Sequence, residues 1–247
     1  DDFAERIIQA ISVSPTGILK EFVVRNPNYL LDAVGFRMFE NPSHYSALRW
    51  YRLQGFRGDP QQTTVDGYDA VRDGRTVYIN APNYAIDGTL HSDIFIVSYN
   101  EGATPETQNV YEQFLANLHF LANLPNAAVE DTRSCVNGGG ATVTDASGKP
   151  IVCSSDFDCP ASDICKCATE KIRRDMKRFS DLRDAEALLN SYQITANQFP
   201  TLQSGTFVRS ISTSAWPSWL ATLSVEVGTP LPTDPINKFV GCADPFD

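Results

Sequence analysis

The sequence predicts an α+β protein, on three observations. Apolar residues recur every three or four positions near both ends of the chain. The period falls to two around an Asp73-Gly74 turn in the middle. A cysteine-rich stretch without regular periodicity separates the two patterns. A chain of 247 residues also exceeds the usual single-domain size, so more than one packed unit is expected. The expected divisions are 1–121 (helices, then hairpin, strand and helix), a disulfide-rich loop insert over 122–167, and a long helix with a small sheet over 168–247.

Within residues 3–13, Phe3, Ile7, Ile8 and Ile11 share one helical face, and Ser14-Pro15 ends that run. Ile18, Phe22, Val23, Tyr29, Leu30, Ala33 and Val34 continue the three-to-four spacing, divided into two helices by Asn26-Pro27. Asn41-Pro42-Ser43 starts a short helix carrying Leu48, Trp50 and Tyr51, so residues 1 to about 54 are predicted helical. Residues 55–64 are predicted to be a loop. Residues 68–72 and 75–79 alternate around Asp73-Gly74 as a hairpin, and 93–99 is a buried strand. Thr104 is placed to cap a helix over 104–121, with Pro105 in its first turn and Val110, Phe114, Leu115 and Leu118 as its apolar stripe.

Residues 122–167 include Gly138-Gly139-Gly140, which lacks the Lys-Ser/Thr of a phosphate loop and is predicted to be a flexible loop. From Thr169 to Tyr192, Ile172, Met176, Phe179, Leu182, Ala185, Leu189 and Tyr192 form one stripe of a long helix. A strand at 205–210 and a short helix from Trp216 to Val227 precede a Pro-punctuated tail.

The net charge of −10 argues against a nucleic-acid surface. The cations around Lys171-Ile172-Arg173-Arg174 alternate with Glu170, Asp175 and Asp181, as on a solvated helix face. No run approaches the roughly 18 apolar residues of a membrane span. Asp1-Asp2 does not begin a signal peptide, so an export signal is expected upstream.

Six cysteines lie at Cys135, Cys153, Cys159, Cys165, Cys167 and Cys242. The stretch CSSDFDCPASDICKC lacks the CxxC pairs typical of structural zinc and of dithiol redox centres, which leaves disulfides as the expectation. Cys165 and Cys167 flank one residue and are poorly placed to bridge each other. Six cysteines allow fifteen pairings; of these, spacing favours interleaved Cys135–Cys159 and Cys153–Cys165 bonds with Cys167 joined to Cys242. Asp156, Asp158 and Asp163 offer calcium a possible oxygen-rich set, but the glycine and terminal Glu of an EF-hand loop are missing. Asx turns between disulfides are the competing reading.

No HExxH or GxSxG motif occurs, and His44, His91 and His119 are separated in sequence. Trp50, Tyr51, Tyr78, Tyr84, Tyr99, Trp216 and Trp219 could line a sugar-binding surface, though their positions favour packing.

Residues 173–237 resemble the soluble part of type II secretion pseudopilins and type IV pilin-like proteins. The resemblance rests on Arg174-Asp175, Arg178, Asp181-Leu182, Ala187-Leu188, Tyr192, Phe199-Pro200, Trp219, Leu223 and Leu231-Pro232-Thr233-Asp234-Pro235. It implies a helix packed on a small antiparallel sheet. The longer segments VDGYDAVRDGRTVYINAPN, DIFIVSYNEGATPET, SSDFDCP and WPSWLATL…LPTDPINK resemble an uncharacterised family of large exported proteins from candidate-phylum bacteria. That resemblance implies export and cell-surface display. The function expected is a non-enzymatic structural or interaction module. A carbohydrate- or peptide-binding adhesin, with a protein or surface glycan as partner, and a hydrolase with a spatially assembled site are the alternatives.

Overall fold

The structure is a computed structural model, and it describes residues 4–6, 17–29, 31–84, 89–120, 134–137, 141–153, 156–160, 163–166, 168–201, 208 and 211–237. It has the helices and antiparallel sheet of an α+β protein. The chain divides into two compact units, Asp1–Pro125 and Asn126–Asp247.

The N-terminal unit holds a seven-stranded antiparallel sheet in the order β1-β2-β3-β7-β6-β5-β4. Its strands are β1 (Ala4–Arg6), β2 (Ile18–Arg25), β3 (Ala33–Glu40), β4 (Gln61–Val65), β5 (Tyr68–Asp73), β6 (Thr76–Tyr84) and β7 (Leu90–Tyr99). The three helices expected before residue 40 are therefore corrected to strands; residues 3 and 7–13 of the first lie outside the described residues. The physical reason is visible in β3, where Val34, Phe36 and Met38 alternate with Gly35, Arg37 and Phe39. Such a run carries apolar residues on both faces, and over a short window it also satisfies a three-to-four spacing. Pairing decides the matter: Phe22 sits opposite Phe36, with stacked rings 4.5 Å apart.

Two turns place the second half of the sheet. Asp66 and Gly67 both take left-handed backbone, at φ 50° and 74°, and join β4 to β5 with Val65 opposite Tyr68. That is the backbone of a two-residue hairpin of the primed kind. The predicted loop over 55–64 thus ends early, because Gln61–Thr64 pair with β5 as an edge strand. At the second turn Asp73 faces Thr76, and Gly74 alone takes left-handed backbone, at φ 58°.

Facing residues in adjacent strands share a side of the sheet, so the register sorts the core into two layers. On one side Phe39, Val71, Tyr78, Ile94 and Ile96 pack against α1 (Ala47–Leu53) through Ala47, Trp50 and Tyr51. On the other, Phe36 meets Phe114 and Tyr99 meets Tyr111, both from α2 (Pro105–Asn117). Phe120, just beyond that helix, contacts Tyr68 and Phe95. Both helices start on side-chain caps. Ser46 Oγ accepts from Arg49 N–H at 3.2 Å, and Thr104 accepts from Thr107 N–H. The α2 cap is reinforced from the sheet, since Thr104 N–H donates to the Asp32 carboxylate at 2.8 Å. Leu118 leaves the helix with extended backbone, so His119 lies beyond it.

In the C-terminal unit β8 (Ser134–Val136) and β9 (Ile164–Lys166) form a two-stranded antiparallel ladder with Cys135 opposite Cys165. The long helix α3 (Ala168–Ala196) follows directly. Ile172, Met176 and Ala185 of its predicted stripe are buried, but Leu182 is 66% exposed. Short helical turns at Thr213–Ala215, Ser218–Leu223 and Ser224–Glu226 follow, the middle one with π-type spacing. The strand expected at 205–210 and the glycine run at 138–140 lie outside the described residues, apart from Val208. Among the described residues, no helix is long and apolar enough to cross a membrane.

Candidate functional site

The cysteine-rich region is built on backbone pairing. Cys135 N–H donates to Ile151 O at 2.9 Å, and Val143 N–H donates to Cys135 O at 2.8 Å. Ile151 N–H returns to Val143 O at 3.0 Å, lacing the loop across β8. Within this frame Cys135 is bonded to Cys159 and Cys153 to Cys165, with Cα–Cα separations of 5.5 and 5.8 Å. This is the interleaved arrangement that spacing suggested. Cys167 and Cys242 lie outside the described residues. The two disulfides pack together with Val143 and Ile151 in a small buried cluster. This short segment has little other apolar mass, so the sulfur bonds act as its core.

The aspartates of this segment serve internal bonds. Asp156 Oδ1 accepts from Cys165 N–H at 2.8 Å, and both its carboxylate oxygens accept from Arg174 Nη1 at 2.8 Å. Arg174 is buried, so Asp156 ties the start of α3 to the staple. Asp163 N–H donates to Pro160 O at 2.9 Å in a turn. Among the described residues, Asp156, Asp158 and Asp163 do not gather their carboxylates into a group of metal-ligand size. One turn further along α3, Arg178 holds the tail. Its Nε and Nη2 donate to Asp234 at 2.5 and 3.2 Å, and Nη1 donates to Asp175 at 2.8 Å. Burial alone would raise the Asp234 carboxyl, but Arg178 and the Asn237 and Ile236 amides outweigh it and hold it below its ordinary value.

In the N-terminal unit the fold brings together polar residues that are far apart in sequence. Asn41, Asn80 and Ser92 are all buried where β3, β6 and β7 adjoin. Asn41 Nδ2 donates to Tyr45 O at 2.8 Å and to Asn80 Oδ1 at 3.2 Å, while Tyr45 N–H donates to Asn41 Oδ1 at 3.1 Å. His44, held at φ 53°, places Nδ1 3.0 Å from Ser92 Oγ. A serine and a histidine at this distance are the parts of a nucleophile and base. The direction of the bonds runs against that use. With its one proton donated to the Asn41 carbonyl at 3.1 Å, Ser92 Oγ can only accept from His44, which requires the tautomer with the proton on Nδ1. Ser92 is also 1% exposed. The pair pins the Asn41 bend to β7.

Next to it, burial raises the Asp93 carboxyl, opposed by the Asn83 amide, which donates at 2.8 Å, and by nearby His91, while Glu40 adds to the rise. His119 pairs at 3.2 Å with Asp66, whose other oxygen accepts Phe120 N–H at 2.8 Å. The aromatics are used in packing. Trp50, Tyr51 and Tyr78 form one cluster, and burial, aided by Tyr51 and Asp73, pushes the Tyr78 hydroxyl up to about 12. Trp216 and Trp219 donate their indole N–H groups to Ile211 O and Pro232 O at 3.1 and 2.9 Å. The lattice around Asn41 had no sequence signal beyond an Asn-Pro pair, because its members come from three separate segments.

Comparison with protein-family models, with curated proteins and with solved structures found no match.

Proposed function

We propose that the chain is a non-enzymatic structural or interaction module of an exported, surface-displayed protein. The observation that carries this reading is the pair of buried disulfides that serves as the core of the cysteine-rich segment. Such bonds persist in oxidising surroundings and are rare where glutathione and thioredoxin keep thiols reduced. The Ser92–His44 bond direction supports a role without catalysis, since the hydroxyl proton is already committed to a backbone carbonyl. The pilin-like reading of the C-terminal part draws its support from the Arg178–Asp234 clamp, which ties the Pro-Thr-Asp-Pro loop to the long helix.

Thiol trapping on the chain in its native cells, followed by peptide mapping, is the direct test. Cys135, Cys153, Cys159 and Cys165 are expected to be blocked as disulfides; recovering them alkylated as free thiols overturns the assignment to an oxidising compartment. Turnover in a glycosidase and peptidase screen, lost in Ser92→Ala, would overturn the non-enzymatic part.

A further inference from the structure

We propose that the cysteine cluster is also a zinc site: with both disulfides reduced, the chain binds one zinc ion through Cys135, Cys153, Cys159 and Cys165. The sulfurs of Cys135, Cys153 and Cys159 lie within 4.8 Å of one another, and Cys165 is bonded to Cys153. Zinc–sulfur bonds of about 2.3 Å in a tetrahedron separate the sulfurs by roughly 3.8 Å. Reduction followed by side-chain rotation would bring these three thiolates to that spacing, with Cys165, outside the group but bonded to Cys153, turning in as the fourth.

The cysteines do not depend on their disulfides alone for position. Cys135 and Cys165 face each other in the β8–β9 ladder, and Cys135 is held by Ile151 and Val143 through its own N–H and C=O. Cys153 follows the Ser134–Val152 bridge, and Cys159 N–H donates to Asp156 O at 3.2 Å. The absence of a CxxC motif matters less for such a site, because cross-strand pairing replaces closeness in sequence. Cys135, Cys153 and Cys165 are buried beside Val143 and Ile151, the closed surroundings of a structural zinc. The nearby Asp156 carboxylate is already neutralised by Arg174, so it adds no unbalanced negative charge to a four-thiolate centre.

The chemistry balances with a phosphine as reductant. Each disulfide gains two electrons and two protons while the phosphine takes one oxygen from water, giving four thiols. Zinc then displaces the four thiol protons. Where the cysteines are reduced, the ion would hold the segment in its folded arrangement. This does not rest on export, so its failure leaves the proposed function untouched.

The test uses the full chain, reduced with a phosphine, freed of it under argon and titrated with cobalt(II), then zinc. One equivalent of cobalt is expected to give thiolate charge-transfer and tetrahedral d–d bands, which zinc abolishes stoichiometrically. The Cys167→Ser/Cys242→Ser variant should retain both, and Cys135→Ser/Cys153→Ser should lose both. Absence of the bands in the reduced wild-type chain overturns the proposal. So does equal binding by the oxidised chain, by Cys135→Ser/Cys153→Ser, or loss of binding in Cys167→Ser/Cys242→Ser.

Discussion

Asp93 and Asp234 show how one residue type contributes to stability with opposite signs. Asp234 titrates below its ordinary value, so between its folded and unfolded values the unfolded chain binds more protons. Its contribution is present above 3.8 and is lost as pH falls through the lowered folded value. Asp93 is raised by burial, so the folded chain binds more protons across its window, and stability falls as pH rises from 3.8 to the raised value. Asp93→Asn is therefore expected to stabilise the N-terminal unit at neutral pH, with the gain vanishing near about pH 3. Urea denaturation at the two pH values checks it; an equal gain at both would show that the charge is not the cause. Asn41→Ala strips partners from Tyr45 N–H and Asn80 Oδ1 in a buried place. It should cost about 2–4 kcal/mol by the same measurement, the loss of three hydrogen bonds at about 1 kcal/mol each. Arg174→Met leaves Asp156 without its cation and should cost about 2 kcal/mol, a modest figure for a broken pair because Asp156 is 30% exposed.

Among the elements, the hairpin turns are the most legible and the strands before them the least. Asp73-Gly74 announces its turn because only a residue without Cβ takes left-handed backbone at little cost. A Cβ on Gly74 would meet nothing within 4 Å. Gly74→Ala should therefore cost about 1–2 kcal/mol through backbone strain alone. Thermal unfolding of the variant measures this, and a much larger loss would mean that a contact is involved as well. At Gly58 the position is reversed: a Cβ would overlap the Asp73 carboxylate and the Tyr51 hydroxyl, which are hydrogen-bonded at 2.5 Å. Helix α2 is legible from its Thr104 cap and α3 from its stripe, but a stripe does not fix which of its members are covered. Leu182 of α3 and Val110 of α2 are exposed, while Tyr111, outside the predicted α2 stripe, is fully buried. β2 and β3 are not legible locally because their apolar residues fit two periods, and only the partner strand selects between them.

On the scale of the whole chain, every cysteine falls within Asn126–Asp247, so reduction acts directly on that unit alone. The Cys135–Cys159 and Cys153–Cys165 bonds close loops with separations of 24 and 12 residues. Each is expected to stabilise by roughly 3 kcal/mol in the chain-entropy model. Reduction in the presence of a chelator should make residues 134–166 susceptible to limited proteolysis while fragments of the N-terminal sheet persist. Mass spectrometry of the fragments reads this out, and unchanged resistance of 134–166 would show that the backbone ladder suffices without the bonds.

The sequence by itself determined the α+β class, a hairpin turn around Gly74, the N-cap of α2, the long α3 and the use of the clustered cysteines in disulfides; which cysteines pair, preferred from spacing, was settled by the structure. Each depends on chemistry confined to a few neighbouring positions: backbone freedom at glycine, a side-chain oxygen near free N–H groups, or the short reach of a sulfur bridge. Tertiary structure alone decided that residues 18–25 and 33–40 are strands, that Asn41, Asn80, Ser92 and His44 meet, and that Ser92 donates to a carbonyl. It also decided that Asp156 holds Arg174. Those outcomes depend on which distant partner satisfies each backbone or side-chain group, and that is settled only when the strands pair and the core closes.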